Sequence, residues 1–203
     1  MNLLVIRHGQ SEADILNVHE GRADFALTEL GLKQVDAMAQ WVKDNYTIDK
    51  IYSSTLIRAK QTAEALSKVC QVSVLYDEDL MEFNNGLIAV LPYEEANEKF
   101  PIIPDLPLHI GPYGMESKLE FQMRGQRAFS KIISDNSADS TIAVVTHGGL
   151  IQKLLYTFFN LPMETTISFA TGDTGIHLLQ YTKEKRVVVY MNRTEHLSKI
   201  ASD

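Results

Sequence analysis

The stretch Leu3-Leu4-Val5-Ile6-Arg7-His8-Gly9-Gln10-Ser11-Glu12 begins with four apolar residues and runs directly into an arginine and a histidine. A short continuous apolar run is typical of a central strand that is buried on both faces of a sheet. In open α/β sheets, ligands bind beyond the carboxyl ends of the parallel strands. The stretch therefore predicts a buried first strand whose end carries charged, titratable groups to a binding site.

Strands and helices alternate along most of the remaining chain. Thr28 precedes a helical pattern with Leu32, Val35, Ala39 and Val42 on one face, and Ser117 begins a capping-box sequence for a helix to about Ser134. Further strands are predicted at 50–53, 72–75 and 141–146, further helices through Ala59, Ala63 and Leu66 and from Gly148 to Phe158, and a final hairpin at 176–181 and 187–191. This order predicts an α/β fold, a three-layer α/β/α sandwich with a mainly parallel mixed sheet.

The length of 203 residues suits a single domain over 1–203. Five of the six prolines fall between Pro92 and Pro112, where they prevent regular helix or strand throughout. We therefore expect a small lid or cap insertion at about 84–116, over one end of the sheet.

The composition argues against several classes of partner. The net charge is −7 and there is no run of Lys or Arg, so neither nucleic acid nor an anionic membrane surface is an expected partner. No apolar run approaches the roughly 18 residues that cross a bilayer. The single cysteine, Cys70, cannot form an internal disulfide, which suits a cytoplasmic location. The oligomeric state is left open.

Polar motifs follow four predicted strands and should meet at one edge of the sheet. Arg7-His8 follows the first strand, Ser53-Ser54 leads into Arg58, Glu82 lies past the third, and His147-Gly148-Gly149 follows the strand that begins at Thr141. Each residue alone is more often structural than functional. Their joint placement predicts an active site.

Two arginines, two histidines and a carboxylate suit phosphoryl transfer. Guanidinium groups bind phosphoryl oxygens bidentately, and a helix that opens at Gly148-Gly149 adds unpaired backbone N–H donors. A neutral imidazole can attack phosphorus and form a covalent intermediate. The leaving oxygen then needs a proton, for which Glu82 is the candidate donor.

The motifs at these positions resemble those of the histidine phosphatase superfamily, in its phosphoglycerate mutase-like branch. Arg7-His8-Gly9-Gln10-Ser11-Glu12 is similar to the signature of that family. Four further stretches resemble successive family motifs in the same order, namely Gly21-Arg-Ala-Asp24, Leu27-Thr28-Glu29-Leu30-Gly31, Ser53 to Ala63 and Val145-Thr146-His147-Gly148-Gly149.

The resemblance implies a role for each matched residue. His8 would become the phosphohistidine, Arg7, Arg58 and His147 would hold the phosphoryl oxygens, and Glu82 would be the proton donor. Substrate-binding positions carried over with these motifs are Arg7, Ser11, Gly21, Arg58, His147 and Gly148. Gly114-Met115-Glu116-Ser117 resembles the segment that opens the family's long helix, and Asn192-Arg-Thr-Glu-His196-Leu197 resembles a tail of phosphatase members. Asp14 departs from the Asn of many members, and it must point away from the phosphate or bind a cationic group.

The resemblance favours a metal-independent phosphomonoester hydrolase without cofactors that acts on a small phosphorylated metabolite. A phosphoglycerate mutase-type phosphotransferase is the first alternative, but the short span from Glu82 to Ser117 and the absence of a mutase-type Arg-His-Tyr sequence disfavour it. A weakly catalytic phospho-ligand binding module is a second alternative. A metal-dependent phosphatase is a third, but there is no HExxH spacing and His19, His109, His177 and His196 are scattered. The substrate cannot be read from residues 83–116.

Overall fold

The computed structural model describes residues 1–200 and contains one six-stranded mixed sheet. Its strands are β1 (Asn2–Arg7), β2 (Lys50–Ser53), β3 (Val74–Tyr76), β4 (Thr141–Thr146), β5 (Ile176–Tyr181) and β6 (Arg186–Arg193). They lie in the order β3-β2-β4-β1-β5-β6. Pairing is parallel from β3 to β1, and the hairpin strand β5 runs antiparallel to both β1 and β6. The predicted mainly parallel mixed sheet is confirmed.

Helices cover both faces of the sheet. They are α1 (Glu12–Leu16), α2 (Glu29–Asn45), α3 (Ile57–Cys70), α4 (Tyr93–Lys99), α5 (Lys118–Ser134) and α6 (Gly148–Phe159). One core cluster joins the sheet to α2 and α3 through Met38, Ala59 and Leu66, and the other joins it to α5 and α6. These three layers are the predicted sandwich.

The alternation of β1 residues between the two cores explains its continuous apolar sequence. Leu3 and Val5 belong to the core under α5 and α6, whereas Leu4 and Ile6 belong to the core under α2 and α3. All four are at most 2% exposed. A strand buried on both faces has no polar side, so the apolar run is continuous rather than alternating.

Two details of the sequence prediction are wrong. The third strand covers Val74–Tyr76 instead of 72–75, and Leu32 is 45% exposed rather than packed. Gly31 is buried at the start of α2, where a Cβ would collide with the carbonyl oxygen of Gln10. The buried residue at this turn is therefore Gly31 and not Leu32.

The segment between β3 and α5 is irregular, in keeping with its prolines. It contains α4 and three short 3₁₀ turns, Glu78–Leu80, Gly86–Ile88 and Pro112–Gly114. Ser117 caps α5 and exchanges hydrogen bonds with Glu120, as the sequence predicts. No helix within residues 1–200 is long and apolar enough to cross a membrane.

Candidate active site

The ends of the parallel strands carry the candidate side chains to one edge of the sheet. His8 follows β1, Arg58 lies in the first turn of α3 after β2, and His147 directly precedes α6 after β4. The rings of His8 and His147 lie with their centroids 5.0 Å apart. Residues that are far apart in the sequence thus form one cluster, because the parallel strands end side by side.

The contacts of His8 define which of its ring nitrogens carries the proton. Its side chain is 2% exposed, and Nδ1 lies 2.7 Å from the carbonyl oxygen of Gly9. A carbonyl oxygen only accepts hydrogen bonds, so Nδ1 carries the proton and the lone pair is on Nε2. Burial, reinforced by the charges of Arg58 and Arg7, lowers the pKa of His8 well below its ordinary value. The imidazole is therefore neutral at neutral pH.

Arg58 is fully buried and is held by backbone carbonyl groups. Its terminal nitrogens donate to Ala23 O at 2.9 Å and Gly21 O at 2.8 Å, and its Nε donates to His8 Nε2 at 3.3 Å. The same Nε lies 3.1 Å from Glu20 Oε2. Burial lowers the pKa of Arg58, and the neighbouring Glu20 carboxylate opposes that shift. An arginine still keeps its charge at neutral pH.

Arg7 lies between two carboxylates. It donates to Thr171 O at 2.8 Å, and its NH2 lies 3.4 Å from Asp173 and 4.0 Å from Asp14. Its Nε is buried without a hydrogen-bond partner. The other oxygen of Asp14 accepts from the backbone and hydroxyl of Ser11, at 2.8 and 3.0 Å. Asp14 thus completes the capping box at the start of α1, and only its other oxygen faces Arg7.

His147 presents a second unpartnered nitrogen. The side chain is fully buried, Nε2 lies 2.8 Å from Ser54 Oγ, and Nδ1 has no partner. Burial, followed by the charge of Arg58, lowers the pKa of His147 well below its ordinary value. Ser54 Oγ accepts the backbone N–H of Leu56 at 3.3 Å and can give its own proton to Nε2. Nδ1–H is then a free donor.

Glu82 lies at the N-terminus of α6. Its two carboxylate oxygens accept the backbone N–H groups of Phe83 at 2.7 Å and Gly149 at 2.8 Å. A Cβ at position 149 would collide with this carboxylate, so glycine is required there for Glu82 to reach the helix terminus. A carboxylate at this position also complements the positive end of the helix.

The remaining predicted substrate-binding residues have the following positions. The hydroxyl of Ser11 is engaged by Asp14, and the carbonyl oxygen of Gly21 holds Arg58. Gly148 opens α6, and a Cβ there would lie 3.9 Å from Arg7 Nε. Gly148 therefore lies beside the cluster, whereas Ser11 and Gly21 contact residues that build it.

Sequence reasoning missed Glu20. Its Oε2 lies 3.9 Å from His8 Nε2, and its Oε1 is buried without a partner. Burial raises the pKa of Glu20, and Arg58 opposes the rise. The signal was available, because Glu20 directly precedes the Gly21-Arg-Ala-Asp24 motif.

Arg124 was also missed. It donates to the carbonyl oxygens of Asp79, Met81 and Glu82 at 3.0, 2.6 and 3.1 Å, and to Glu116 at 2.6 Å. A lone arginine on an amphipathic helix carries no local signal of such a role, since the three carbonyl groups that it binds lie more than forty residues away along the chain.

The tail motif, residues 192–197, contacts the loop that lies against Arg7 and His8. His196 is 8% exposed and its Nε2 lies 2.8 Å from Thr174 Oγ1, while the backbone N–H of Thr174 donates to His8 O at 3.1 Å. Asn192 Oδ1 accepts the N–H of Gly172 at 2.8 Å. The tail thus fixes the 171–175 loop, which contacts both Arg7 and His8. Across residues 1–200, no group of three or more His, Cys, Asp or Glu side chains has the geometry of a metal site.

Comparison with known proteins agrees with this geometry. The model of the histidine phosphatase superfamily (branch 1) matches residues 3–194. A protein named probable phosphoglycerate mutase from Proteus mirabilis is 31% identical, over 100% of this chain and 98% of its own. A metal-independent phosphoserine phosphatase of Arabidopsis thaliana is 26% identical, over 98% of this chain and 84% of its own.

The fold has close counterparts among solved structures. The alpha-ribazole phosphatase of Shigella flexneri superposes with a TM-score of 0.84 at 21% identity, covering 96% of this chain and 97% of its own. The family match confirms the resemblance seen in the sequence motifs. The chain belongs to the histidine phosphatase superfamily, and it is an enzyme of branch 1 of that superfamily.

Proposed function

We propose that this enzyme is a metal-independent phosphomonoester hydrolase that acts through a phosphohistidine at His8 on a small phosphorylated metabolite in the cytoplasm. One observation carries the proposal. Two buried donors without partners, Arg7 Nε and His147 Nδ1, flank the histidine whose Nε2 lone pair faces the site. Buried polar groups are normally paired, so unpaired N–H donors around a nucleophile fit the oxygens of a bound phosphoryl group.

In the first step, His8 Nε2 attacks phosphorus and the ester P–O bond breaks. Arg7, Arg58 and His147 hold the three phosphoryl oxygens, and Glu82 gives a proton to the leaving oxygen. Glu82 must carry a proton when the leaving oxygen departs. The products of the step are an alcohol and phosphohistidine.

In the second step, water attacks phosphorus and the P–N bond breaks. Glu82 is now a carboxylate and takes a proton from the water as the new P–O bond forms. The products are orthophosphate and neutral His8. The overall reaction consumes one ester and one water and releases one alcohol and one phosphate.

The nucleophile is tested with an aryl phosphate and His8→Ala. We expect release of the phenol to fall by a factor on the order of 10³ or more, because no other side chain supplies the covalent step. Rapid base quenching of the wild-type enzyme should trap a base-stable, acid-labile phosphoenzyme. Turnover equal to wild type in His8→Ala would contradict the mechanism. Activity that disappears in excess chelator and returns with a metal would contradict metal independence.

Glu82→Gln tests the acid. We expect a larger loss of kcat with alkyl phosphates than with a nitrophenyl phosphate, because an activated phenolate needs little protonation. Equal losses with both classes of ester would remove the assignment of Glu82 as proton donor.

A mutase is the second candidate, because the Proteus mirabilis relative carries that name and aligns over the whole chain. The two functions differ in the fate of the phosphoryl group. A mutase would return it to a bound acceptor hydroxyl, whereas a hydrolase transfers it to water at the same rate with or without an acceptor.

A further inference from the structure

A cavity of about 640 Å³ lies next to the catalytic cluster. Its walls come from α4, the proline-rich segment that follows α4, and the start of α5. Cavities of several hundred cubic ångströms are typical of small-molecule sites.

Two wall residues connect this cavity to the reacting groups. His19 directly precedes Glu20, whose carboxylate lies 3.9 Å from His8 Nε2, and Phe83 directly follows Glu82. The N–H of Phe83 also donates to the Glu82 carboxylate at 2.7 Å. The lining thus includes the residues next in the sequence to Glu20 and Glu82, so the leaving group of an ester bound at His8 can extend toward this cavity.

The walls of the cavity are mainly apolar. They include Phe83, Ile88, Phe100, Ile103, Leu108 and Met115. Ile102 and Ile103, which follow Pro101, are 87% and 43% exposed. Exposed apolar side chains at a cavity mouth lose contact with water when an apolar ligand covers them, and this favours binding.

The charged groups of the wall do not favour an anionic leaving group. Among the described lining residues, the carboxylates are Asp105, Glu116 and Glu164, and the one Lys or Arg is Lys118. Arg124 and Arg22 pair with Glu116, at 2.6 and 3.6 Å, and leave the other two carboxylates uncompensated by arginine. Burial lowers the pKa of His19, so this side chain adds no positive charge at neutral pH.

We propose that the substrate is a phosphomonoester of a neutral, largely apolar alcohol, whose leaving group occupies this cavity. The inference rests on the proposed hydrolase function and names the substrate class of the same site. Phosphoserine and 3-phosphoglycerate carry a carboxylate, and the lining supplies no arginine to bind it.

The test compares alkyl phosphates that have similar leaving-group chemistry. Hexyl phosphate, ethyl phosphate, phosphoserine and 3-phosphoglycerate are assayed for kcat/KM under the same conditions. Each buried methylene contributes up to about fourfold, so we expect hexyl phosphate to exceed ethyl phosphate and both carboxylates by about tenfold or more. A higher kcat/KM for phosphoserine or 3-phosphoglycerate than for hexyl phosphate would overturn the substrate class and leave the hydrolase function intact. Absence of turnover and of phosphohistidine with every ester would overturn both.

Variants of Ile103 test whether the cavity wall determines the substrate preference, as distinct from a general effect of substitution on activity. Ile103→Glu should reduce the ratio of hexyl to ethyl phosphate kcat/KM by about fivefold or more, since it places a carboxylate in the apolar wall. Ile103→Arg should raise the ratio of phosphoserine to hexyl phosphate. The matched control is Val189→Glu on β6, which is 48% exposed and outside the cavity lining. Equal substrate ratios in the two Ile103 variants and the control would place the leaving group elsewhere.

Discussion

Glu20 brings a carboxylate into a site that is otherwise arranged for an anion. It is 3.1 Å from Arg58 Nε and 3.9 Å from His8 Nε2, and Ser11, Asp14 and Arg7 also act on it. An ionised Glu20 would compete with a phosphoryl group for Arg58 and repel it. A protonated Glu20 would instead offer a hydrogen-bond donor to a phosphoryl oxygen. Binding of an anion should therefore favour protonation of Glu20, and protonation of Glu20 should favour binding of an anion.

Glu20→Gln should abolish this proton coupling. Sulfate is a suitable probe, because its charge stays constant across the range. Burial raises the pKa of Glu20, so in the wild type sulfate affinity should fall as pH rises through that pKa and Glu20 loses its proton. The amide cannot ionise, so we expect the variant to bind sulfate about tenfold more tightly than wild type near pH 8, with the difference shrinking as pH falls. Isothermal titration calorimetry at several pH values measures the effect.

Asp14→Asn is the control for this experiment, because Asp14 is a neighbouring carboxylate whose one oxygen is engaged by Ser11. We expect Asp14→Asn to change the pH dependence of sulfate affinity less than Glu20→Gln does. Parallel sulfate profiles for wild type and Glu20→Gln would show that Glu20 carries no coupled proton. Protonation of His8 and His147 also favours anion binding at low pH, but it is common to all three proteins.

At the level of elements, α5 fixes the loop that carries Glu82. Arg124 is 7% exposed and donates to three carbonyl oxygens of the 79–82 segment as well as to Glu116. Thr146, at the end of β4, binds the same segment through Leu80 O at 2.6 Å. The position of Glu82 is thus set by contacts from one strand and one helix.

Arg124→Met should cost about 3 kcal/mol of unfolding free energy, because it leaves Glu116, whose side chain is 10% exposed, with only Arg22, at 3.6 Å, as an ion-pair partner. The surviving activity should fall most with poor leaving groups, as in Glu82→Gln, because the loop position of Glu82 is lost. Urea unfolding and kcat with alkyl and aryl phosphates measure these two effects.

Arg127→Met is the matched control one turn along α5. Its side chain is 63% exposed and pairs with Asp79 at 2.5 Å, and surface pairs contribute about 1 kcal/mol or less. Equal stability losses in the two variants, or an Arg124→Met activity loss that is uniform across leaving groups, would remove the positioning role.

At the scale of the whole molecule, four of the six histidines are buried in neutral form. Burial lowers the pKa of His177 and of His196 to about 4, and the pKa values of His8 and His147 lie well below the ordinary value. The unfolded chain binds protons on these residues below about pH 6.5, whereas the folded chain does not. Stability should therefore fall as pH decreases from about 6.5 toward 4. Raised pKa values of Glu20 and Asp173 act in the opposite direction, but only two groups contribute.

His177→Gln should flatten this acid dependence. His177 lies in β5 between Thr171 Oγ1 at 2.9 Å and the N–H of Asn192 at 3.3 Å, away from the reacting atoms. We expect a lower Tm at neutral pH but a smaller fall between about pH 6.5 and 4, by up to one proton in the linkage slope. Identical slopes in wild type and variant would show that His177 titrates normally in the folded protein.

The fold predicted from the sequence differs from the structure mainly where tertiary packing overrides the local sequence pattern. Helix starts at Thr28 and Ser117 follow from capping chemistry, which is local, and both are confirmed. Leu32 is an exception, because the buried residue at that turn of α2 is Gly31, which lies close to the Gln10 backbone. The sequence also predicted that His8, Arg58 and His147 lie at one edge of the sheet, because parallel strands all end at the same edge.

The sequence by itself determined which strand each candidate residue follows. An apolar run ends in Arg7-His8, and later motifs place Glu82 and His147 after later strands. Those features depend on local periodicity and on which strand end each residue follows. Only the tertiary structure decided that Nε2 of His8 carries the lone pair, that Glu20 lies 3.9 Å from it, and that Arg124 holds the Glu82 loop. Such contacts join residues distant in the chain, and their energies depend on burial and distance, which spacing along a sequence does not contain.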